Sequence, residues 1–549
     1  MVSVRKLNAA VDERIDRLKH SVTRAQKWAL FSTILWGLAA HIPSIANDLI
    51  NHDSVNGLHA DANYWLSQQG KWAAGYIISF LRGALTVPSW FVLLGIIGFA
   101  CSAFLIVRMF NIKSSVCAAL IGGILVANDA VMSMTLAYGT DYFAFCFLLM
   151  VIAVYCARMY RFGWPVSIGL ITLSMGGYQP MIGAATSLFV MLCIVDALRP
   201  ENTFKKLLLS GLKYIAILLV GGALYYGILQ LLIDKGIVVL NSYKNINELA
   251  SGGLTDTSRM FELLRDTFLY PYMQLAGRLE VPYNQMNTLN KLCGVLIIFS
   301  YVWAVINNKI YKSPLKFIAS IILAFGVFPV AVNLVDFLTQ DEVVSRIMRY
   351  SIVLLYCLPV VLCGACLGSD KPDEVGKARA GEGKKLITRV MTCIICVVVS
   401  VMVLDWCCLD HDGYGYVSAS NKQMSAKSAI LMNSIYQCEG YEPGTPVALI
   451  GKTPIPFYDD TNSATALYDV IGIKKGTQGI FSASDTMYIL PMVARMLNVR
   501  LGANLQFVDS ADFYAQHTDE CDAMPVYPVE GSVAMIDGTI VVKLNEVYK

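Results

Sequence analysis

The chain has 549 residues, 56% of them hydrophobic and 15% charged, with a mean hydropathy of +0.54. That balance excludes an ordinary soluble protein, because apolar stretches of the roughly 20 residues that span a bilayer core recur from Trp28 to Leu404. The net charge of +3 gives no footprint for nucleic acid, since Lys and Arg sit in short separate loops rather than in one patch.

Residues 1–27 form a charged amphiphilic segment in which Val11, Ile15 and Leu18 oppose Arg14, Arg17 and Lys19. It reads as a helix on the cytoplasmic membrane surface, followed by a signal anchor, with no cleavable signal peptide. Eleven spans are expected, at 28–46, 89–107, 115–133, 142–157, 165–175, 180–198, 207–233, 292–306, 317–335, 350–367 and 386–404. The fifth is short, yet 165–198 as one helix would reach about 50 Å, far beyond the hydrocarbon thickness. A break at Gly176-Gly177-Tyr178-Gln179-Pro180 resolves this. In the first long connection, residues 72–85 are apolar and aromatic around one Arg82 and too short to cross, so they read as an interfacial helix.

Basic loops fix the orientation. Those holding Arg5 to Lys27, Arg108 and Lys113, Arg158 and Arg161, Arg199 to Lys206, Lys309 to Lys316, and Lys371 to Arg389 all fall on one side, which the positive-inside rule makes cytoplasmic. The outside then receives 47–88, 134–141, the Tyr178-Gln179 break, 234–291, 336–349 and everything after Asp405. That last portion has ordinary composition, with a helical pattern over 422–436, a strand at 447–451, a helix at 486–497 and a hairpin over 532–544 turning at Asp537-Gly538. The organisation is thus a cytoplasmic N-terminal helix (1–27), a transmembrane domain (28–405) and a small extracytoplasmic α/β domain (406–549).

Most of the 15 cysteines lie in apolar segments and act as small core residues. Cys393 and Cys396 form a C-x-x-C inside an apolar run, which argues against redox or metal chemistry. Cys438 and Cys521 are the candidate disulfide if the C-terminal domain is exported.

Carboxylates, amides and aromatics crowd the outer side. The first outer loop holds Asn47, Asp48, Asn51, His52, Asp53, His59, Asp61, Gln69 and Lys71. A carboxylate there can take a proton from an incoming hydroxyl, against the plainer reading of a solvated loop; the spacing does not suit a compact metal site. Asp141 opens a span, where an acid needs a partner or an aqueous cavity, or is simply favoured by the helix dipole. Asn128 and Asp129 give a weaker version of that signal. Tyr178-Gln179 offers an aromatic face and an amide to sugar hydroxyls, although Pro180 alone would end the turn. Arg346 and Arg349 lie outside against the charge bias, fit to hold a phosphate or else to pair with Asp336, Asp341 or Glu342. The long loop 234–291, with Tyr243, Tyr270, Tyr272 and Tyr283, can cover an acceptor.

Asn51-His52-Asp53-Ser54 followed by Gly70-Lys71-Trp72 resembles the N-x-D…G-R-W signature of GtrII-type glucosyltransferases. Asp141-Tyr142 at the fourth span, Tyr178-Gln179 at the broken fifth and Arg346 before a late span are similar to the family pattern too. Lys71 stands where Arg is usual, which puts a bidentate role there in doubt. The resemblance covers about 28–404 and implies a C-type membrane glycosyltransferase fold. It further implies a plasma-membrane enzyme of bacteria that moves a hexosyl group, glucosyl by family, from a polyprenyl-phosphate donor to a cell-surface polysaccharide such as O-antigen. Asp53 would be the general base, assisted by Asp61 or Asp141. His52, Lys71, Trp72, Tyr178 and Gln179 would bind substrate, and Arg346 with Arg349 would hold the lipid phosphate. No cofactor is implied, and a divalent ion is left open; a small flippase and a lipid-charging enzyme are the implied partners.

The rival classes are a transporter or flippase of lipid-linked glycan, a polysaccharide polymerase or membrane acyltransferase, and a scaffold displaying the C-terminal lobe. Transport is disfavoured because the spans hold almost no acids at mid-depth and show no internal repeat.

Overall fold

The computed structural model describes residues 22–50, 54, 66–83, 87–240, 257–279, 284–339, 344–367, 378–451, 493–494 and 496–544. The chain is mostly helical. It divides into two compact units, Met1–Ile42 with Asn63–Thr135 and Gly139–Asp410, and Pro43–Ala62 with Leu136–Tyr138 and His411–Lys549.

The helices run, in chain order, α1 (Arg24–Ala46), α2 (Ala74–Arg82), α3 (Pro88–Met109), α4 (Ser115–Val126), α5 (Asp129–Leu136), α6 (Thr140–Met159), α7 (Trp164–Gly177), α8 (Ile182–Leu198), α9 (Phe204–Asp234), α10 (Thr257–Leu275) and α11 (Asn284–Asn307). Then come α12 (Pro314–Ile321), α13 (Phe328–Val332), α14 (Leu334–Thr339), α15 (Val353–Leu362) and α16 (Ala378–Tyr436). Among the described residues eight helices are long and apolar enough to cross a membrane, or nine if α4 and α5, bent by 44°, count as one broken span. Two other expected spans are helical but shorter: α7, of 14 residues, and the 350–365 stretch around α15. These long apolar helices make this a membrane protein.

Starts are set by residues that satisfy or dispense with the first backbone donors. Ser114 accepts from the Cys117 amide, Thr203 accepts from the Lys206 amide, and Pro88 and Pro314 open α3 and α12, where a missing N–H is harmless. Among the described residues α3 and α6 pack along each other most extensively, and a Cβ on Gly95 would meet the Thr140 side chain at 2.5 Å. Small residues let two backbones approach closely, which is the main source of packing energy where no water is available to be expelled. At the centre of this unit is the 179–198 segment, in which every residue but Thr186 and Val190 is buried. In contrast α9 shows Leu208, Leu212, Ile215 and Leu219 on its surface, a stripe suited to hydrocarbon.

Near the basic connections, polar side chains serve helix C-termini. Lys213 donates to the Ala157 carbonyl (2.8 Å) and Lys316 to that of Arg199 (2.6 Å), while Asn308 reaches Leu198 (2.7 Å). Each satisfies a carbonyl that the helix cannot. Arg158 and Asp196 form a two-bond pair at 2.6 and 2.8 Å between α6 and α8.

In the second unit, β1 (Pro446–Ile450), β2 (Gln506–Phe507), α17 (Ser510–Gln516), α18 (Thr518–Ala523), β3 (Val533–Ile536) and β4 (Thr539–Lys543) follow α16. The sheet order is β2-β1-β4-β3, with β1 parallel to β2 and β4 and with β3 antiparallel to β4. The expected strand at 447–451 and the expected hairpin are both present. Asp537 (φ 43°) and Gly538 (φ 70°) take the left-handed pair that a tight hairpin turn requires. Ala448, Ile450, Cys521, Met524 and Val541 form the core beside the sheet.

Two expectations are corrected. The helical pattern at 422–436 is no separate element: α16 runs unbroken for 59 residues, about 90 Å at the helical rise. Its polar middle contains no proline and only Gly413 and Gly415, too little to stop a helix. Cys438 and Cys521 are not bonded, because Cys521 is buried in the sheet core whereas Cys438 lies just beyond the end of α16. The expected helix at 486–497 falls mostly outside the described residues.

Candidate functional site

The anticipated break is the centre of the first cluster. Tyr178 takes an extended backbone (φ −148°, ψ 100°), α7 ends before it, and a short turn at Gln179–Met181 leads into α8. Carbonyls freed by the break find new donors. The Ala73 amide reaches Gly176 O at 2.7 Å, and the Tyr142 hydroxyl donates to Gly177 O. Gln179 Nε2 donates to Gln69 O (2.8 Å) and to the Tyr225 hydroxyl (3.1 Å), which itself donates to Gly70 O (3.1 Å). Gly70-Lys71-Trp72 is thereby fastened to the break, more than a hundred residues away in sequence. Lys71 Nζ lies 2.5 Å from Gln69 Oε1 and 5.2 Å from the centre of the Tyr178 ring. Gln69 Nε2, Trp72 Nε1 and Gln179 Oε1 are buried polar atoms without a hydrogen-bond partner among the described residues, a rare condition that calls for a reason.

Trp72 packs beside Tyr225, Leu229 and Val238. A Cβ on Gly176 would come within 2.5 Å of its ring. Gly176→Ala is therefore expected to destabilise the protein by about 1–3 kcal/mol by overpacking, and to alter Trp72 fluorescence. Gly211→Ala, at a helical site with open space, should do neither; equal melting temperatures for the two variants would refute the Trp72 contact.

Asp141 sits in the first turn of α6 with its side chain fully buried. Arg82, at the end of α2, meets it with two 2.8 Å bonds from Nε and Nη2 and covers the Phe91 ring at 3.7 Å. Asp141 thus combines the two situations the sequence offered, a first-turn position and burial with a charge partner. The apolar segment around Arg82 is a helix, and its one charge is directed at this carboxylate.

A second cluster gathers Arg346, Arg349, Asp129, Asp336 and Tyr270. Arg349 holds Asp336 through Nε (2.9 Å) and Nη2 (3.0 Å) and stacks on Tyr270 at 4.2 Å. Asn333 braces Asp336 at 2.8 Å. Arg346 has a single 2.7 Å bond to Asp129, with both side chains over 40% exposed. Both arginines lie in the turns leading to Tyr350–Ile352 rather than in a helix. Asp410 on α16 has both carboxylate oxygens buried, with no hydrogen-bond partner among the described residues.

Residues 42–363 match the family profile described as Glucosyl transferase GtrII, more than half of the chain. The chain belongs to the GtrII glucosyl transferase family. Membership makes it a membrane glycosyltransferase, with surface polysaccharide as the class of acceptor implied. No curated protein and no solved structure matches it significantly.

Of the residues expected in this GtrII protein's site, Lys71, Trp72, Tyr178 and Gln179 converge in the first cluster, and Arg346 and Arg349 in the second. Asp141 belongs to its own pair with Arg82. His52, Asp53 and Asp61 lie outside the described residues. Sequence reading missed Tyr225, Arg82 as a partner, and Asp410. Arg82 left a trace as the one charge of an apolar segment, and Asp410 as an acid one helical turn beyond Trp406. Among the described residues no three His, Cys, Asp or Glu side chains converge as metal ligands.

Proposed function

We propose that this GtrII enzyme transfers a glucosyl group from a polyprenyl-phosphate carrier to a surface polysaccharide on the outer face of the plasma membrane. The observation that carries the reading is the docking of Gly70-Lys71-Trp72 onto the Tyr178-Gln179 break. That contact joins two of the motifs by which the sequence resembles the family, and it leaves buried amide and indole groups suited to sugar hydroxyls.

In this reading Asp53 takes the proton of the acceptor hydroxyl as that oxygen bonds to the anomeric carbon. The bond from the anomeric carbon to phosphate oxygen breaks, and polyprenyl phosphate leaves with the electron pair. Asp61 remains a candidate assistant, and His52 a candidate sugar contact. Asp141, already occupied by Arg82, orders the α2–α6 junction instead of exchanging protons. The phosphate role falls chiefly to Arg346, since a half-exposed single-bond pair with Asp129 is worth only about 0–1 kcal/mol and yields readily to a phosphate. Arg349 is tied to Asp336 through Nε and Nη2, along one edge of its guanidinium, and supports the site from behind.

The test is glucosyl transfer by membranes containing the full-length protein, supplied with polyprenyl-phosphate glucose or with a nucleotide-linked glucose. Transfer from the lipid-linked donor alone is expected. Arg346→Ala should raise the KM for that donor about tenfold, the loss of one charge-assisted contact of roughly 1.5 kcal/mol, with kcat nearly kept. Transfer from the nucleotide sugar without any lipid intermediate would overturn the donor assignment.

A further inference from the structure

The second unit contains an arrangement that the family-matched stretch cannot build by itself. Asp48 leaves the end of α1 two residues before Ile50, and Asn51-His52-Asp53 follow Ile50 directly in the chain. The Arg500 guanidinium bonds Asp48 through Nη1 and Nη2, and its Nη2 also donates to the Tyr138 hydroxyl at 2.6 Å. Tyr138 in turn donates to Asp48 Oδ1 at 2.5 Å, closing a three-membered knot. Burial raises the Asp48 pKa, but the hydrogen bonds from Arg500 and Tyr138 outweigh it and leave the carboxyl below its usual range. The knot is therefore charged at neutral pH and loosens only as the pH falls through that lowered value.

Ile50 is gripped a second time. Its amide donates to Asn421 Oδ1 and its carbonyl accepts from Asn421 Nδ2, both at 3.0 Å, so one side-chain amide pairs with the backbone as a neighbouring strand would. Leu49 and Ile50 are buried. Tyr138 is held at φ 53°, a left-handed conformation that a bulky residue adopts only when its surroundings impose it. It lies three residues before Asp141 in the chain. Asn421 and Arg500 both fall beyond residue 363, where the family match ends.

We infer that Arg500 and Asn421 are positioning residues for glucosyl transfer, fixing residues 48–50 and with them the point from which the Asn51-His52-Asp53 motif departs. The C-terminal region is then a working part of the enzyme and not a passenger. The inference rests on the assignment of Asp53 as base. Neither residue touches substrate in this scheme; each acts through the backbone it holds. A misplacement of about 1 Å at a reacting group can lower turnover on the order of 100-fold, so loss of either grip should act on kcat.

The experiment measures transfer from polyprenyl-phosphate glucose in membranes, per inserted full-length protein, for Arg500→Gln, Asn421→Ala, Asp48→Arg with Arg500→Asp, and Asp53→Asn. Arg500→Gln and Asn421→Ala are each expected to lower kcat about 10- to 100-fold while the donor KM stays within about twofold. The charge-swapped pair should recover part of the activity, which a merely destabilised protein would not. Should Arg500→Gln fail to insert, Asn421→Ala, which removes hydrogen bonds and no charge, decides the question. Wild-type kcat in Asn421→Ala and Arg500→Gln beside an inactive Asp53→Asn would overturn this inference and leave the function intact. An active Asp53→Asn would instead overturn the base assignment on which the inference stands.

Discussion

Replacing Asp53 by asparagine is expected to lower glucosyl transfer about 100- to 10,000-fold, the range that a positioned general base contributes. Asparagine keeps the size and hydrogen-bonding outline of aspartate but has no lone pair basic enough to take a hydroxyl proton. Insertion and stability should therefore be unaffected. The readout is surface-glycan composition in cells, together with the amount of protein in the membrane. The plainer reading of the loop, a solvated stretch of polar residues, predicts no change at all. A normal glycan from a fully inserted Asp53→Asn protein would settle the matter in favour of that reading. Asp61→Asn in parallel would show whether the assisting role falls to this second acid of the loop.

Breaking the Arg82–Asp141 pair should produce the largest loss of stability. Asp141 has no exposed side-chain surface, and Arg82 has little. Removing one partner leaves an uncompensated charge in an apolar site, which costs roughly 3–5 kcal/mol. Asp141→Ala and Arg82→Ala are each expected to lower the melting temperature of the detergent-solubilised protein sharply. The apolar double substitution Arg82→Met with Asp141→Leu should restore most of it, because two well-packed apolar groups are no worse than a buried ion pair. The double variant also separates structure from chemistry. If it is stable and turns over normally, Asp141 serves only the junction between α2 and α6. If it is stable and inactive, the carboxylate returns to the list of candidates for direct assistance to Asp53.

The long apolar runs, the break at Tyr178-Gln179 and the Asp537-Gly538 turn could all be read from local sequence. Each depends on local physics: hydropathy over a window, helix length against bilayer thickness, and left-handed residues in a hairpin. The extent of α16 could not be read this way. Its polar middle resembles the end of a membrane span, yet nothing in residues 405–421 forbids continued helix, and it continues.

Charge pairing was legible only as a set of options. Arg349 had Asp336, Asp341 and Glu342 within thirteen residues; the structure pairs it with Asp336, and the other two lie outside the described residues. Arg346 selects Asp129, 217 residues away, which no spacing rule could suggest. Arg500 selects Asp48 across 452 residues. Such partners are set by which charged groups the fold brings together, buried or half-exposed, and that is a property of packing.

By itself, then, the sequence determined that this is a membrane protein with apolar helices, a broken segment at Tyr178, a small sheet near its C-terminus and the motifs of the GtrII family. Periodicity, length and residue type are local quantities. Only the tertiary structure decided that Gly70-Lys71-Trp72 docks on that break, that Asp141 is matched by Arg82, and that the C-terminal region holds residues 48–50. Those contacts depend on which groups the folded chain places within about 3 Å of one another, and that is a property of packing over long sequence separations.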